Sequence, residues 1–184
     1  RIHGFVQINV VLVPAGSIHG VVRLPDGQTP VGAGAQVRLF AGTSLSQAVA
    51  TTFTDPAGAF AFPLVAVGSY TIDATDVSGH HGRSSATITG TGQDLDVPVT
   101  YVGRGTISGT VLDVNNHPVP NAAVLMQATD VFGAEPAVGV DAAADGRFSF
   151  SDVPVGAFVV SAHDPITGQG GTASGQIISN GQAV

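Results

Sequence analysis

Cysteine, lysine and tryptophan are all missing from this 184-residue chain, and Glu135 is its only glutamate. Without cysteine there is no disulfide, no thiolate metal site and no thiol nucleophile. Without lysine no Lys–Asn isopeptide bond can staple a domain. The Glu and Lys that cover exposed helical faces are lacking, which argues against helices. Six arginines are scattered singly and the net charge is -7. No basic patch exists, which excludes nucleic acid as a partner. No apolar run is long enough for a membrane-spanning helix. Arg1 reads as the start of a processed chain or of a fragment.

What the chain has in quantity is glycine (25) and proline (11), within an ordinary 43% of hydrophobic residues. Frequent turn formers and short β-branched runs point to an all-β chain. In the first half the alternation places strands near 17–23, 35–41, 47–54, 58–62, 68–76, 84–90 and 95–103. Within 68–76, Tyr70, Ile72 and Ala74 face one way, and Thr71, Asp73 and Thr75 the other. The run 43–49 could form a helical turn but reads rather as strand or loop.

The same pattern occurs twice. Ile18-x-Gly20-x-Val22 recurs as Ile107-x-Gly109-x-Val111, 89 residues on, and Gly92-Gln93 recurs as Gly181-Gln182 at the same spacing. Phe60 and Gly68 recur as Phe148 and Gly156, 88 residues on. A register held within one residue over so many positions marks an internal duplication. About seven short strands per copy, with regular turns, describe a β-sandwich. The expected organisation is an N-terminal strand (1–15), a first sandwich (16–104) and a second sandwich (105–184).

The motif Asp55-x-x-Gly58-x-Phe60-x-Phe62 with Gly68-x-Tyr70, and its echo Asp145-Gly146-Arg147-Phe148-x-Phe150 with Gly156-x-Phe158, resembles the carboxypeptidase regulatory-like domain. That is a transthyretin-like (prealbumin-like) sandwich, similar to collagen-adhesin B-type repeats. The resemblance implies two tandem Greek-key β-sandwiches, transthyretin-like or Ig-like, of stalk, adhesin or appendage type. It implies no catalytic residues. The second copy departs from the first by a shorter Asp–Gly spacing, which leaves the geometry of that turn open but not the fold.

The ends of the chain do not match. The first copy closes with "GQDLDVPVTYVGRG" (92–105), whereas the second stops at "NGQAV" (180–184). The opening run "RIHGFVQINVVLVPAG" has no domain ahead of it. Aligning Gly16 with Gly105 sets Ile8 on Val97, Val10 on Val99 and Leu12 on Tyr101. The expectation is an N-terminal extension strand that completes the second sandwich of another copy, through Phe5, Val6, Ile8, Val10 and Leu12. Ile107, Val111, Phe148, Phe150 and Ile177 would form the acceptor groove. Such a contact repeats head to tail without closing and builds a filament. The alternatives are a stretch of a longer covalent array, or a strand paired inside its own first domain.

Other chemistry is thinly supported. His80-His81 reads as a solvated loop, and His3 and His19 as outward-facing strand residues. The segment 113–118 and the pair Asp141/Asp145 read as capped turns, without the full calcium-loop spacing. No nucleophile elbow or phosphate loop is present. The expected protein is a non-enzymatic structural subunit, extracellular or on a bacterial cell surface. It has itself as partner, possible glycans, and no cofactor or metal. The competing class is a carbohydrate- or protein-binding stalk or adhesin repeat, for which Phe132 is the main exposed loop aromatic.

Overall fold

The computed structural model describes residues 13–184, which are all-β with no helix. The proposed donor positions Phe5, Val6, Ile8, Val10 and Leu12, and His3, lie outside the described residues. The chain divides into two compact units, one with residues 13–23 and 30–101, the other with residues 24–29 and 102–184.

The first unit holds β1 (Ala15–Arg23), β2 (Gln36–Ala41), β3 (Ala48–Phe53), β4 (Ala59–Ala66), β5 (Gly68–Thr75), β6 (His81–Ile88), β7 (Asp94–Asp96) and β8 (Val99–Thr100). One sheet joins β4 antiparallel to β1, and sets β7 and β8 parallel to β1 on its other side. The other sheet runs β3-β2-β5-β6, antiparallel throughout. Alternate residues from both sheets meet in one core: Ile18 and Val22, Phe60 and Phe62, Val37 and Leu39, Ile72 and Ala74. Each large apolar side chain taken out of water contributes roughly 1.5–3 kcal/mol.

The expected strands are all present. The sixth begins earlier, at His81, because its ladder with β5 extends to Thr75. The last is interrupted at Pro98, which has no N–H to offer the ladder. The loop reading suits 43–47, and the strand begins at Ala48.

β5 is buried on both faces. Thr71 and Asp73 point away from the sandwich core yet are 8% and 4% exposed. Thr71 Oγ1 donates to the Gly42 carbonyl at 2.6 Å. Asp73 lies between Arg38 on β2 and Arg83 on β6, with N–O distances of 2.6 and 3.1 Å. Alternation alone does not reveal this clasp.

The second unit repeats the plan with β9 (Arg104–Thr110), β10 (Ala123–Asp130), β11 (Gly133–Ala134), β12 (Val138–Asp141), β13 (Arg147–Pro154), β14 (Gly156–His163) and β15 (Gly170–Ile177). β13 pairs with β9, and β10, β14 and β15 form the opposing sheet with β11 and β12 on its edge. Phe148 and Phe150 keep the geometry of Phe60 and Phe62, with centroids 5.9 Å apart and rings at 60° in both pairs.

The turn before β13 is not shortened. Gly146 N donates to Ala143 O at 2.9 Å, as Gly58 N donates to Asp55 O at 2.8 Å. The second copy keeps the turn and moves the aspartate within it, from the Asp55 position to that of Ala57. Both glycines have positive φ, 73° and 76°, and keep the turn in the region that glycine tolerates best.

Candidate strand-accepting groove

In the first unit the segment 94–101 lies along the edge of both sheets. Toward β1 it forms a parallel ladder: Ser17 pairs with Asp94, Ile18 with Leu95 and Val22 with Val99. Val97 N donates to His19 O at 2.7 Å, and Tyr101 N to Arg23 O at 2.9 Å. Toward β6, Tyr101 bridges to Gly82 and Ser84 Oγ donates to Pro98 O at 2.7 Å. The Asp94 carboxylate accepts from the Ser17 hydroxyl and lies 3.1 Å from His19 Nδ1. These hydrogen bonds, that from Ser17 first, hold its pKa below the usual carboxylate value.

Close approach of this segment requires glycine beneath it. A Cβ on Gly16 would lie 2.2 Å from Gln93 O, one on Gly20 2.2 Å from Val97 O, and one on Gly82 2.2 Å from Thr100 O. None of these distances is tolerable for carbon against oxygen, so any larger residue pushes the strand off.

The second unit begins the same closure. Thr106 N donates to Gln182 O and Val184 N to Thr106 O, each at 2.9 Å, and Ser108 N donates to Val184 O at 2.8 Å. A Cβ on Gly105 would meet Gln182 O at 2.3 Å, as on Gly16. Ala183 and Val184 thus hold the places of Asp94 and Leu95. Past them, between β9 and β15, lies an open groove of about 420 Å³. Among the described residues none covers it. Gly171 takes the place of Gly82, 89 residues on, and a Cβ there would meet nothing within 4 Å.

The groove is lined by apolar side chains that the first unit buries. Val22, Phe60 and Ala74 are in its core, whereas their counterparts Val111, Phe148 and Ala162 are only half-buried. Of the residues expected from the sequence, Ile107, Val111 and Phe148 line the groove. Phe150 and Ile177 are buried in the core of this unit, 3% and 1% exposed. The sequence reading missed Phe158, Val160, Ala162 and Gly171, which also line it. Gly171 was recoverable, because it repeats Gly82 at the spacing of the duplication.

The remaining candidates lie in local turns or on strands. His80 N and Ser78 N donate to Asp76 Oδ1, and His80 Nδ1 lies 2.7 Å from Asp76 Oδ2. His81 is the first residue of β6. His19 is exposed on β1 beside Asp94. Asn115 N and His117 N donate to Asp113 Oδ1. These bonds, that from the His117 backbone first, keep the Asp113 pKa low. Asp145 accepts from Arg147 N at 3.1 Å, and Asp141 is exposed in β12.

Residues 106–179 match the carboxypeptidase regulatory-like domain family. The chain resembles that family, and the match spans most of the second unit. No curated protein matches the chain. Among solved structures, a streptococcal ancillary pilin is similar over 92% of this chain, with a TM-score of 0.55 and 14% identity. The chain spans 61% of that pilin's length. The minor pilin GBS52 of Streptococcus agalactiae is similar over 91% of this chain and 94% of its own, with a TM-score of 0.54 and 13% identity. At such identity the likeness is one of fold. The groove sits within the second unit, the part of the chain that resembles this family.

Proposed function

We propose that this chain is a structural subunit of an extracellular bacterial fibre of pilus type. It polymerises head to tail when the N-terminal strand of one copy enters the groove of the second sandwich in the next. The observation that carries the reading is the pair Gly82 and Gly171. The second unit has a glycine where, in the first, a closely seated strand requires one, over a groove that the described residues leave open.

The register follows from the first unit. With Ala183 and Val184 in the places of Asp94 and Leu95, the free positions correspond to 96–101. Residues Gln7–Leu12 align with these, so that on this register Ile8, Val10 and Leu12 would take the places of Val97, Val99 and Tyr101. Phe5 and Val6 then fall outside the groove. Burial of the three inward side chains contributes roughly 1.5–3 kcal/mol each. Parallel ladder bonds to β9 add to this, against the cost of ordering the strand. The fold shared with an ancillary and a minor pilin supports a surface role.

The competing reading is a stalk segment of a longer surface protein, carrying carbohydrate or protein ligands. It is favoured by the first unit, whose last strand comes from its own chain. Negative-stain microscopy separates the two. On the fibre reading the purified chain forms thin beaded threads, and deleting residues 1–12 abolishes them. A chain that stays monomeric at high concentration overturns strand donation.

A further inference from the structure

Beside the groove, around Leu112 and Gly171, lies a second hollow of about 140 Å³, walled by Val111, Leu112, Ala162, Asp164, Gln169 and Gly171, among others. In the duplication these positions answer to Val22, Arg23, Ala74, Asp76, His80 and Gly82. The turn supports this match: Asp164 N donates to Gln169 O as Asp76 N donates to His80 O, with one residue more between them. In the first unit the matching space belongs to Tyr101. That side chain is 3% exposed, its backbone bridges to Gly82, and its ring lies 6.4 Å from the His80 ring. Its hydroxyl is buried without a hydrogen-bond partner, so the ring rather than the hydroxyl earns the place.

We infer that this hollow is a slot selective for an aromatic side chain. The best partner of the groove is therefore a parallel β-segment of the form apolar-x-Val-x-aromatic, the form of Val97-Pro98-Val99-Thr100-Tyr101. Leu12, which aligns with Tyr101, has a smaller side chain than tyrosine and would fill less of the space. A seated strand that leaves a cavity forgoes both transfer and packing energy. A partner strand with Tyr or Phe at this position outcompetes the chain's own N-terminal segment. The inference rests on the groove being a strand acceptor.

The test uses the full-length chain and fluorescently labelled peptides, read by anisotropy. One peptide copies residues 96–103, and its variants carry Phe, Leu or Ala at the Tyr101 position. A second copies residues 7–14, with and without Leu12→Tyr. The expected result is tightest binding for Tyr and Phe, weaker for Leu, and about tenfold or more lost with Ala. Leu12→Tyr tightens the second peptide. Gly171→Val in the full chain abolishes binding, since its side chain meets the incoming backbone while leaving the free unit intact. Equal binding by all variants overturns the aromatic slot and leaves strand acceptance standing. Binding by no peptide overturns strand acceptance itself. Binding that survives Gly171→Val puts the peptide elsewhere and overturns the slot.

Discussion

Gly82 pairs with Tyr101, and a Cβ on Gly82 would lie 2.2 Å from the carbonyl oxygen of Thr100. Gly171, its counterpart, has free space around the same direction. Gly82→Ala is therefore expected to destabilise the first unit by about 1–3 kcal/mol, the usual cost of forcing atoms into a packed site. Gly171→Ala leaves the unfolding of isolated chains nearly unchanged but impairs assembly. Thermal unfolding of both variants, with microscopy of the second, checks the pair.

Phe60 and Phe148 occupy equivalent places under different cover. Phe60 is 4% exposed beneath the closing segment, and Phe148 is half-buried at the groove. Phe60→Ala is expected to cost about 3–5 kcal/mol and Phe148→Ala distinctly less. Denaturant melts measure the difference. Saturation of the groove with the 96–103 peptide narrows it, because Phe148 then gains the cover that Phe60 already has.

Asp73 is the buried carboxylate between Arg38 and Arg83. Asp73→Ala leaves two guanidinium groups facing each other without their shared acceptor. A loss of about 3 kcal/mol in the first unit is expected, the low end for breaking a buried pair, because both arginines keep some water. Urea unfolding of the variant tests this.

Acid is expected to destabilise both units. Hydrogen bonds hold Asp94 below its ordinary pKa of 3.8, that from Ser17 first. Asp113 and Asp164 are lowered likewise, by the His117 backbone and the Thr167 hydroxyl respectively. A depressed folded pKa contributes stability above the unfolded value, and that contribution disappears as pH falls through the folded value. The melting temperature should hold through neutral pH and decline below about pH 4. Asp94→Asn should flatten part of that decline. Calorimetry across this range decides it, and a variant as acid-sensitive as the parent would refute the assignment.

The sandwich was legible because alternation, turn residues and the duplication all pointed the same way. The Phe60/Phe62 and Phe148/Phe150 pairs sat on one core face in each copy, as the two-residue spacing requires. The groove was legible only in outline. Ile107, Val111 and Phe148 followed from alignment with β1 and β4. Phe158, Val160 and Ala162 come from β14, across the sandwich, and no local pattern reports which strands face a missing neighbour. The Asp73 clasp was hidden for a similar reason. Its partners lie 35 residues before and 10 after it, joined only by strand register. The turn at 143–146 stayed open in the sequence because its aspartate is displaced, whereas the backbone bond and the glycine define it.

The parallel sense of β1 with β7 and β8 has a consequence for tension. The chain enters that ladder at one end and leaves it at the other, so a pull between the ends of the first unit slides neighbouring strands lengthwise. All the rungs then resist together, whereas a hairpin pulled open from its free ends peels one rung at a time. Rupture under force is governed by the unfolding rate, and shear of this kind raises its barrier. Thr106 and Ala183 are bridged in the same parallel sense. A strand seated along β9 would continue that arrangement and would likewise be loaded lengthwise.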